Sequence, residues 1–491
     1  MNDFAVTAAV MAASDRACIE GGTPSLELMS RAAEGIAKHV PRGGRIYVFC
    51  GKGNNGGDGY ACARILLGRG EDATVFALSD DISHDSAHYR KLLESEYPGS
   101  VRPIGECDYR FDTALDCLFG TGFKGEPKGV YAEVIDRLNA ARGFVVAADI
   151  ASGLDGTNGI AVKAVKANVT VAVQTFKTGH FLNDGKDFSG KVVAEDIGIP
   201  IVGEKYGIWR AEDVIALFPK RKNNTNKGSY GKCAIVGGCE KYVGAVKLAA
   251  MGEAALRSGA GLCSLCVPRS ILAAISTDVV ECTLSPMPDL GGALAFDEAA
   301  LDDALTGVKA VAVGMGMGAN GGENLKILKH IFAKNVKTVV DADGLNALAR
   351  DVTVLDAAAA DVLITPHPGE FARLTGRSIG EVLASPIALA EEFASAHRCT
   401  VMLKGASTFV TDGKRGALVV NGSPAQSKGG SGDTLSGAIL GIAAQGNSLF
   451  DSACAATWLC AEAAKRAAAD FGETGVLASD VAKQLKNILG R

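Results

Sequence analysis

The chain of 491 residues has no block of basic residues: 50 lysines and arginines are set against 55 aspartates and glutamates, a net charge of −5. A polyanion needs clustered positive charge, so nucleic acid is not expected as a partner. No apolar run approaches the ~18 residues of a bilayer span, so no membrane partner is expected either. The apolar patch at residues 4–13 follows Asp3 and lacks a basic flank, and it reads as an amphipathic helix rather than a secretory signal. There is no disulfide framework. Thirteen scattered cysteines, an odd number, suit a reducing cytoplasm. Cys263 and Cys266 form a Cys-x-x-Cys, but they sit in a strand-like run, where residues three apart face opposite ways. His84 and His88 have helical metal-ligand spacing but no third ligand nearby, and read as a solvated helix face.

What the chain has is glycine, 61 residues of it, concentrated where apolar runs end. Its length exceeds one core, so two or three domains are expected. Short apolar runs alternate with helical periodicity, the pattern of doubly wound parallel sheets in an α/β protein, with one antiparallel hairpin turning at Asp412-Gly413. Residues 210–230 carry a polar, basic run from Lys220 that reads as a linker or an entry loop, and the linker is placed at 212–222 between domains at 1–211 and 223–491.

In the first half, the apolar run at 45–50 leads into Gly51-Lys52-Gly53-Asn54-Asn55-Gly56-Gly57-Asp58-Gly59 and then a helical pattern. Strand, glycine loop and helix in that order make a phosphate-binding element, because the first helical N–H groups and the helix dipole favour an anion. The loop contains a literal G-x-G-x-x-G, so a dehydrogenase is a rival; Asn54, Asn55 and Asp58 crowd a turn that a dehydrogenase keeps small. Two more strand-like runs end in Asp116 and Asp149, the latter followed by Ile150-Ala151-Ser152-Gly153. The carboxyl ends of parallel strands share one edge, so Asn55, Asp116, Asp149 and Ser152 are expected to converge. Their oxygen donors, without histidine or cysteine, suit a hard cation.

In the second half, residues 429–437 read Gly-Gly-Ser-Gly-Asp-Thr-Leu-Ser-Gly before an apolar helix. An aspartate in such an anion-binding turn repels phosphate, but it makes sense as a base that deprotonates a hydroxyl beside one. Strand ends also deliver Asp341-Ala342-Asp343-Gly344-Leu345-Asn346, Thr365-Pro366-His367-Pro368-Gly369-Glu370, Lys404-Gly405 and the Gly314-Met315-Gly316-Met317-Gly318 turn.

The first-half motifs resemble the N-terminal epimerase domain of the NAD(P)H-hydrate repair enzymes, and the second-half motifs resemble their C-terminal dehydratase domain, which has a ribokinase-like fold. The resemblance implies a Rossmann-like α/β/α first domain and repair of hydrated NADH and NADPH: exchange of the R and S epimers, then dehydration of the S epimer with ADP, giving AMP and phosphate. It implies that Asn54, Asn55, Gly56, Gly57 and Asp58, then Gly120, Thr121, Gly122, Phe123, Lys124, Gly125 and Glu126, and also Asp149, hold the hydrated dinucleotide in the first domain. Potassium is implied at Asn55, Asp116 and Ser152. Asp149 is assigned as acid and base, with Lys124 as its partner. In the second domain the resemblance implies hydrate contacts at Ala245, Gly316 (Gly318 as the alternative), His367 and Asp433. ADP, with magnesium, is implied at Lys404, Gly405, Ala406, Ser407, Thr408 and Gly432, with Asp433 as the catalytic base. Ala151 and Met315 stand where the family usually has proline. A cytoplasmic homo-oligomer is expected. The rivals are a small-molecule kinase, which would share the Gly-x-Gly-Asp base, and a non-catalytic nucleotide or cation sensor.

Overall fold

The computed structural model describes residues 4–218, 220–250 and 254–489. The chain forms two compact units, Met1–Tyr206 and Gly207–Arg491.

The first unit is built on seven parallel strands, in the order Val101–Pro103, Asp72–Ala77, Arg45–Cys50, Thr113–Cys117, Phe144–Ala148, Val169–Val173, Lys191–Glu195. Alternation along each strand feeds two cores. Val48, Val75, Leu115 and Val146 pack against helices Ser25–His39, Asn54–Gly68 and His84–Glu96. Tyr47, Phe49, Phe76 and Val145 pack on the other face against helix Val130–Ala140. The strand order reverses between Arg45–Cys50 and Thr113–Cys117, which are neighbours. Loops leaving such a switch point diverge to opposite faces and open a crevice at the carboxyl edge.

Among the described residues, the second unit has seven parallel strands, in the order Thr283–Met287, Leu262–Pro268, Lys232–Val236, Ala310–Val313, Lys337–Val340, Val362–Ile364, Thr400–Leu403. The hairpin Thr408–Thr411 and Gly416–Val419 continues the sheet antiparallel, and Gly413 takes φ 80° in its turn. Helices Ser431–Ala443 and Leu449–Phe471 are buried along most of their length because both are rich in small apolar residues.

Two expectations shift. The units divide at Tyr206/Gly207, before the expected 211: Gly207 and Ile208 pair with Ala417 and Leu418, and helix Ala211–Ala216 occupies part of the stretch read as a linker. Its amphipathic pattern is too short to stand out beside the basic run that follows. The apolar spacing of Val246, Leu248, Ala249, Ala254, Ala255 and Leu256 predicts a long helix over 244–258; it is observed as Val243–Ala250, residues 254–259 turn, and 251–253 lie outside the described residues.

Candidate functional sites

At the switch point of the first unit, residues 52–55, Asp58 and residues 118–123 help wall a cavity of about 780 Å³. Close packing explains the glycines. A Cβ on Gly51 would lie 1.9 Å from Leu118 O, and one on Gly56 would lie 2.1 Å from Gly51 O. One on Gly57 would lie 2.6 Å from Met29 Cε. These glycines let the helix Asn54–Gly68 start against the sheet, with no side chain between them. Gly56 and Gly57 therefore serve packing, whereas Asn54, Asn55, Asp58, Gly120, Thr121, Gly122, Phe123 and Asp149 line the cavity. Phe119 stacks on Phe123 (4.4 Å between centroids) and on Tyr131 (4.7 Å), giving an aromatic wall.

Beneath this wall the oxygen donors converge. Asn55 Nδ2 donates to Phe119 O (2.9 Å), so Oδ1 of the same amide points away, and it is buried with no hydrogen-bond partner. Ser152 Oγ accepts from Phe119 N (2.8 Å), while Asp116 accepts from Leu118 N (3.2 Å) and Ser152 N (2.8 Å). Burial pushes the Asp116 carboxyl up to about 6, since its hydrogen bonds do not fully replace water. An orphaned amide oxygen beside a buried carboxylate and a hydroxyl is a donor set that fits a hard monovalent cation.

Asp149 sits at the end of strand Phe144–Ala148 with φ 66°, a left-handed conformation rare for a residue with a Cβ. Its carboxylate is ion-paired with Lys177 Nζ, which is fully buried. Lys124, the expected partner, is elsewhere: it is exposed and bonds Asp155 Oδ2 at 2.7 Å. Gly125 and Glu126 are likewise exposed and not part of the cavity wall. Lys177 was legible only as a fourth polar strand end, Phe176-Lys177-Thr178-Gly179-His180, after Val169–Val173. His180 Nε2 meets Asp149 O at 3.0 Å, and its Nδ1 accepts from Lys177 N at 3.1 Å. Burial and then Lys177 push this imidazole down to about 4, so it is neutral at pH 7. Asp15 and Asp58 also face the cavity; burial first, and then the Asp149 charge, raise both carboxyls.

In the second unit, Asp341 ends strand Lys337–Val340 and is buried. Its Oδ1 accepts from Lys404 Nζ (3.1 Å) and its Oδ2 from Ser436 Oγ (2.8 Å). Burial alone would raise this carboxyl, but Lys404 and the hydroxyls hold it below the usual range. Gly432 stands over the pair: a Cβ there would lie 3.6 Å from Asp341 Oδ2 and 3.8 Å from Lys404 Nζ. Gly430, at φ 90°, caps the helix Ser431–Ala443, and Asp433 lies in its first turn. Burial, then the Asp341 charge, pushes the Asp433 carboxyl up to about 7, against the pull of Lys404. That is the range of a base working near neutrality.

The remaining expected residues divide. A Cβ on Gly316 (φ 62°) would lie 2.8 Å from Ala245 Cβ, so these two are neighbours. Gly318 N instead donates to Asp343 Oδ2 (2.8 Å). His367 caps the helix Pro368–Thr375: Nδ1 accepts from Gly369 N (3.0 Å), which leaves Nε2 on a half-exposed ring. Thr408 opens a hairpin strand, Gly405 and Ala406 form the turn before it, and Ser407 Oγ is buried without a partner.

Two parallel sheets, each with a glycine-opened helix and a carboxylate at its carboxyl edge, define a two-part α/β protein of the nucleotide-handling class. The family model for NAD(P)H-hydrate dehydratase matches residues 233–487, and the one for the YjeF-related protein N-terminus matches residues 25–179. The bifunctional NAD(P)H-hydrate repair enzyme of Moorella thermoacetica is 35% identical, across 99% of this chain and 96% of the relative. That of Coxiella burnetii is 33% identical, across 96% of each. The ADP/ATP-dependent NAD(P)H-hydrate dehydratase of Bacillus subtilis, crystallised with ATP and Mg2+, is 25% identical over 57% of this chain and 96% of its own, with a TM-score of 0.48. The chain belongs to the family of bifunctional NAD(P)H-hydrate repair enzymes.

Proposed function

We propose that the chain repairs hydrated NADH and NADPH in two steps, one in each unit. The observation that carries this is the pair of separate carboxylate sites, Asp149 on a cavity and Asp433 on a glycine-opened helix. The hydrated ring carbon bears both a hydroxyl and the ring nitrogen. In the first unit Asp149 takes the hydroxyl proton, the carbon–nitrogen bond breaks with its electron pair going to nitrogen, and nitrogen takes the proton. Reclosure on the opposite face reverses these transfers and yields the other epimer. Asn54, Asp58, Thr121 and Phe123 hold the dinucleotide, and Asn55, Asp116 and Ser152 would hold potassium, which would supply fixed positive charge.

In the second unit Asp433 removes the hydroxyl proton of the S epimer, and the oxygen attacks the terminal phosphorus of ADP, taken as its magnesium salt. AMP leaves. Loss of phosphate from the ring carbon, with a proton from the adjacent carbon, restores the double bond of NAD(P)H. Ala245, Gly316 and His367 line the hydrate side. Lys404 to Thr408 and Gly432 line the nucleotide side, with backbone N–H groups at the helix start meeting the transferring charge. Thirteen free cysteines agree with work in a reducing cytoplasm, and self-association into a homo-oligomer belongs to the same proposal.

The test is recovery of near-ultraviolet absorbance from mixed-epimer NADH hydrate with potassium, magnesium and either ADP or ATP. Full recovery supports both activities. Arrest at the fraction of one epimer removes the first, and no recovery with either nucleotide removes the proposal in favour of a kinase with a stable phosphorylated product.

A further inference from the structure

The reading of Asp149 as acid and base leaves a buried ammonium beside it without a task. Lys177 lies at the end of strand Phe176–Lys177, fully enclosed, on the wall of the first-unit cavity. Its Nζ donates to Asp149 Oδ1 and to Val173 O (2.7 Å). Oδ1 also accepts from Val173 N at 3.2 Å. Two donors thus occupy one carboxylate oxygen. No described residue donates to the other, Oδ2, which lies 3.9 Å from the position of a Cβ on Gly120 in the cavity wall. The backbone is fixed from the same segment, because His180 Nε2 holds the carbonyl of Asp149. The remaining charged groups toward Asp149 are carboxyls: Asp15 from helix Ala8–Glu20 and Asp58 from helix Asn54–Gly68. Without Lys177 the Asp149 side chain would lose that anchor and turn about its side-chain torsions.

We propose that Lys177 is the positioning residue for epimer exchange: it binds Oδ1 of Asp149, so that Oδ2 alone, aimed into the cavity, meets the ring hydroxyl. A general base works only when it lies within hydrogen-bond reach of its proton, and holding one oxygen supplies that geometry before substrate arrives. The inference rests on the assignment of Asp149 made above.

The experiment uses the full chain as wild type, Lys177→Met, Lys177→Arg and the double variant Lys177→Met/Asp149→Asn. Epimer exchange is measured with NADH hydrate enriched in the R epimer, and dehydration of the S epimer in the same samples reports on the integrity of the second unit. Lys177→Met is expected to lower kcat for exchange by roughly 10²-fold, at the lower end of general acid–base effects, with KM within about threefold. Lys177→Arg is expected to return kcat to within about tenfold of wild type, because a guanidinium still donates to Oδ1. A folded Lys177→Met variant with kcat within about threefold of wild type overturns the inference. So does a rise in KM that accounts for the whole loss, the mark of a merely structural role. If the Met variant does not fold, the Arg variant decides: exchange retained supports the inference, and exchange as low as in the folded double variant overturns it. Wild-type chain without any exchange would instead remove the assignment of Asp149, which keeps the two failures apart.

Discussion

Lys404 Nζ lies 3.1 Å from Asp341 Oδ1, and Asp341 is buried. The Asp341 carboxyl is held down and the Lys404 ammonium is held up, each chiefly by the other once burial is set aside. A lowered acid contributes stability above its ordinary value of 3.8, and a raised base contributes it below 10.5. The pair therefore stabilises the second unit between those limits and weakens beyond them. Lys404→Met leaves a buried carboxylate alone, and a loss of about 3–5 kcal/mol is expected at pH 7. Urea unfolding at pH 7 and pH 3 checks this: the difference from wild type should shrink at the lower pH.

For Asp433→Asn, dehydration is expected to disappear while AMP binding, measured calorimetrically, persists. The folded-state value near 7 lies above the ordinary 3.8, so between these two values the folded state holds more protons than the unfolded state and stability falls as pH rises. Removing the charge should thus raise the melting temperature of the second unit at pH 8, by about 2–4 °C for each ~1 kcal/mol relieved. In wild type, kcat/KM for dehydration should fall below about pH 7, where the free base becomes protonated.

Asp149→Asn is expected to slow epimer exchange by about 10²–10⁴-fold and to leave dehydration of pure S epimer unchanged. Exchange followed by chiral separation of the hydrates gives the answer directly, and a loss below tenfold would mean that another group moves the proton.

The cation site has its own signature. Exchanging potassium for a bulky organic cation at constant ionic strength should slow epimer exchange, and Asn55→Ala, which deletes the orphaned Oδ1, should weaken the half-saturating potassium concentration. Chelation of divalent metals should not affect that step. An unchanged potassium dependence in Asn55→Ala would place the ion elsewhere.

Gly56→Ala brings a Cβ within 2.1 Å of Gly51 O. Backbone cannot yield as a side-chain tip can, so unfolding of the first unit at a markedly lower temperature is expected, visible by calorimetry.

Strands and glycine turns were legible because apolar runs and breakers are local signals, and the oxygen donors of Asn55, Asp116 and Ser152 converge because parallel strands end on one edge. Beyond its place at a polar strand end, the pairing of Lys177 with Asp149 was not legible. Its partner is 28 residues away, and only the pairing of Val169–Val173 with Phe144–Ala148 brings the segment beside Asp149. Lys124 follows the Gly120-Thr121-Gly122 turn, but a long side chain goes to whichever carboxylate the fold puts in reach, here Asp155. His367 shows the opposite limit: proline on both sides stiffens its turn, but which ring atom caps the helix depends on the backbone N–H groups of Gly369 and Glu370, which no local signal reveals.

The strand formed by Gly207 and Ile208 along Ala417 and Leu418 matters to anyone who wishes to express the second unit by itself. A gene fragment starting at codon 223 would omit that strand and the helix Ala211–Ala216, leaving Gly416–Val419 with one flank of unpaired amides and carbonyls. Bare sheet margins of this sort recruit other chains. A fragment opening at codon 207 would keep the cover over Ala417 and Leu418 and should precipitate less than the shorter one.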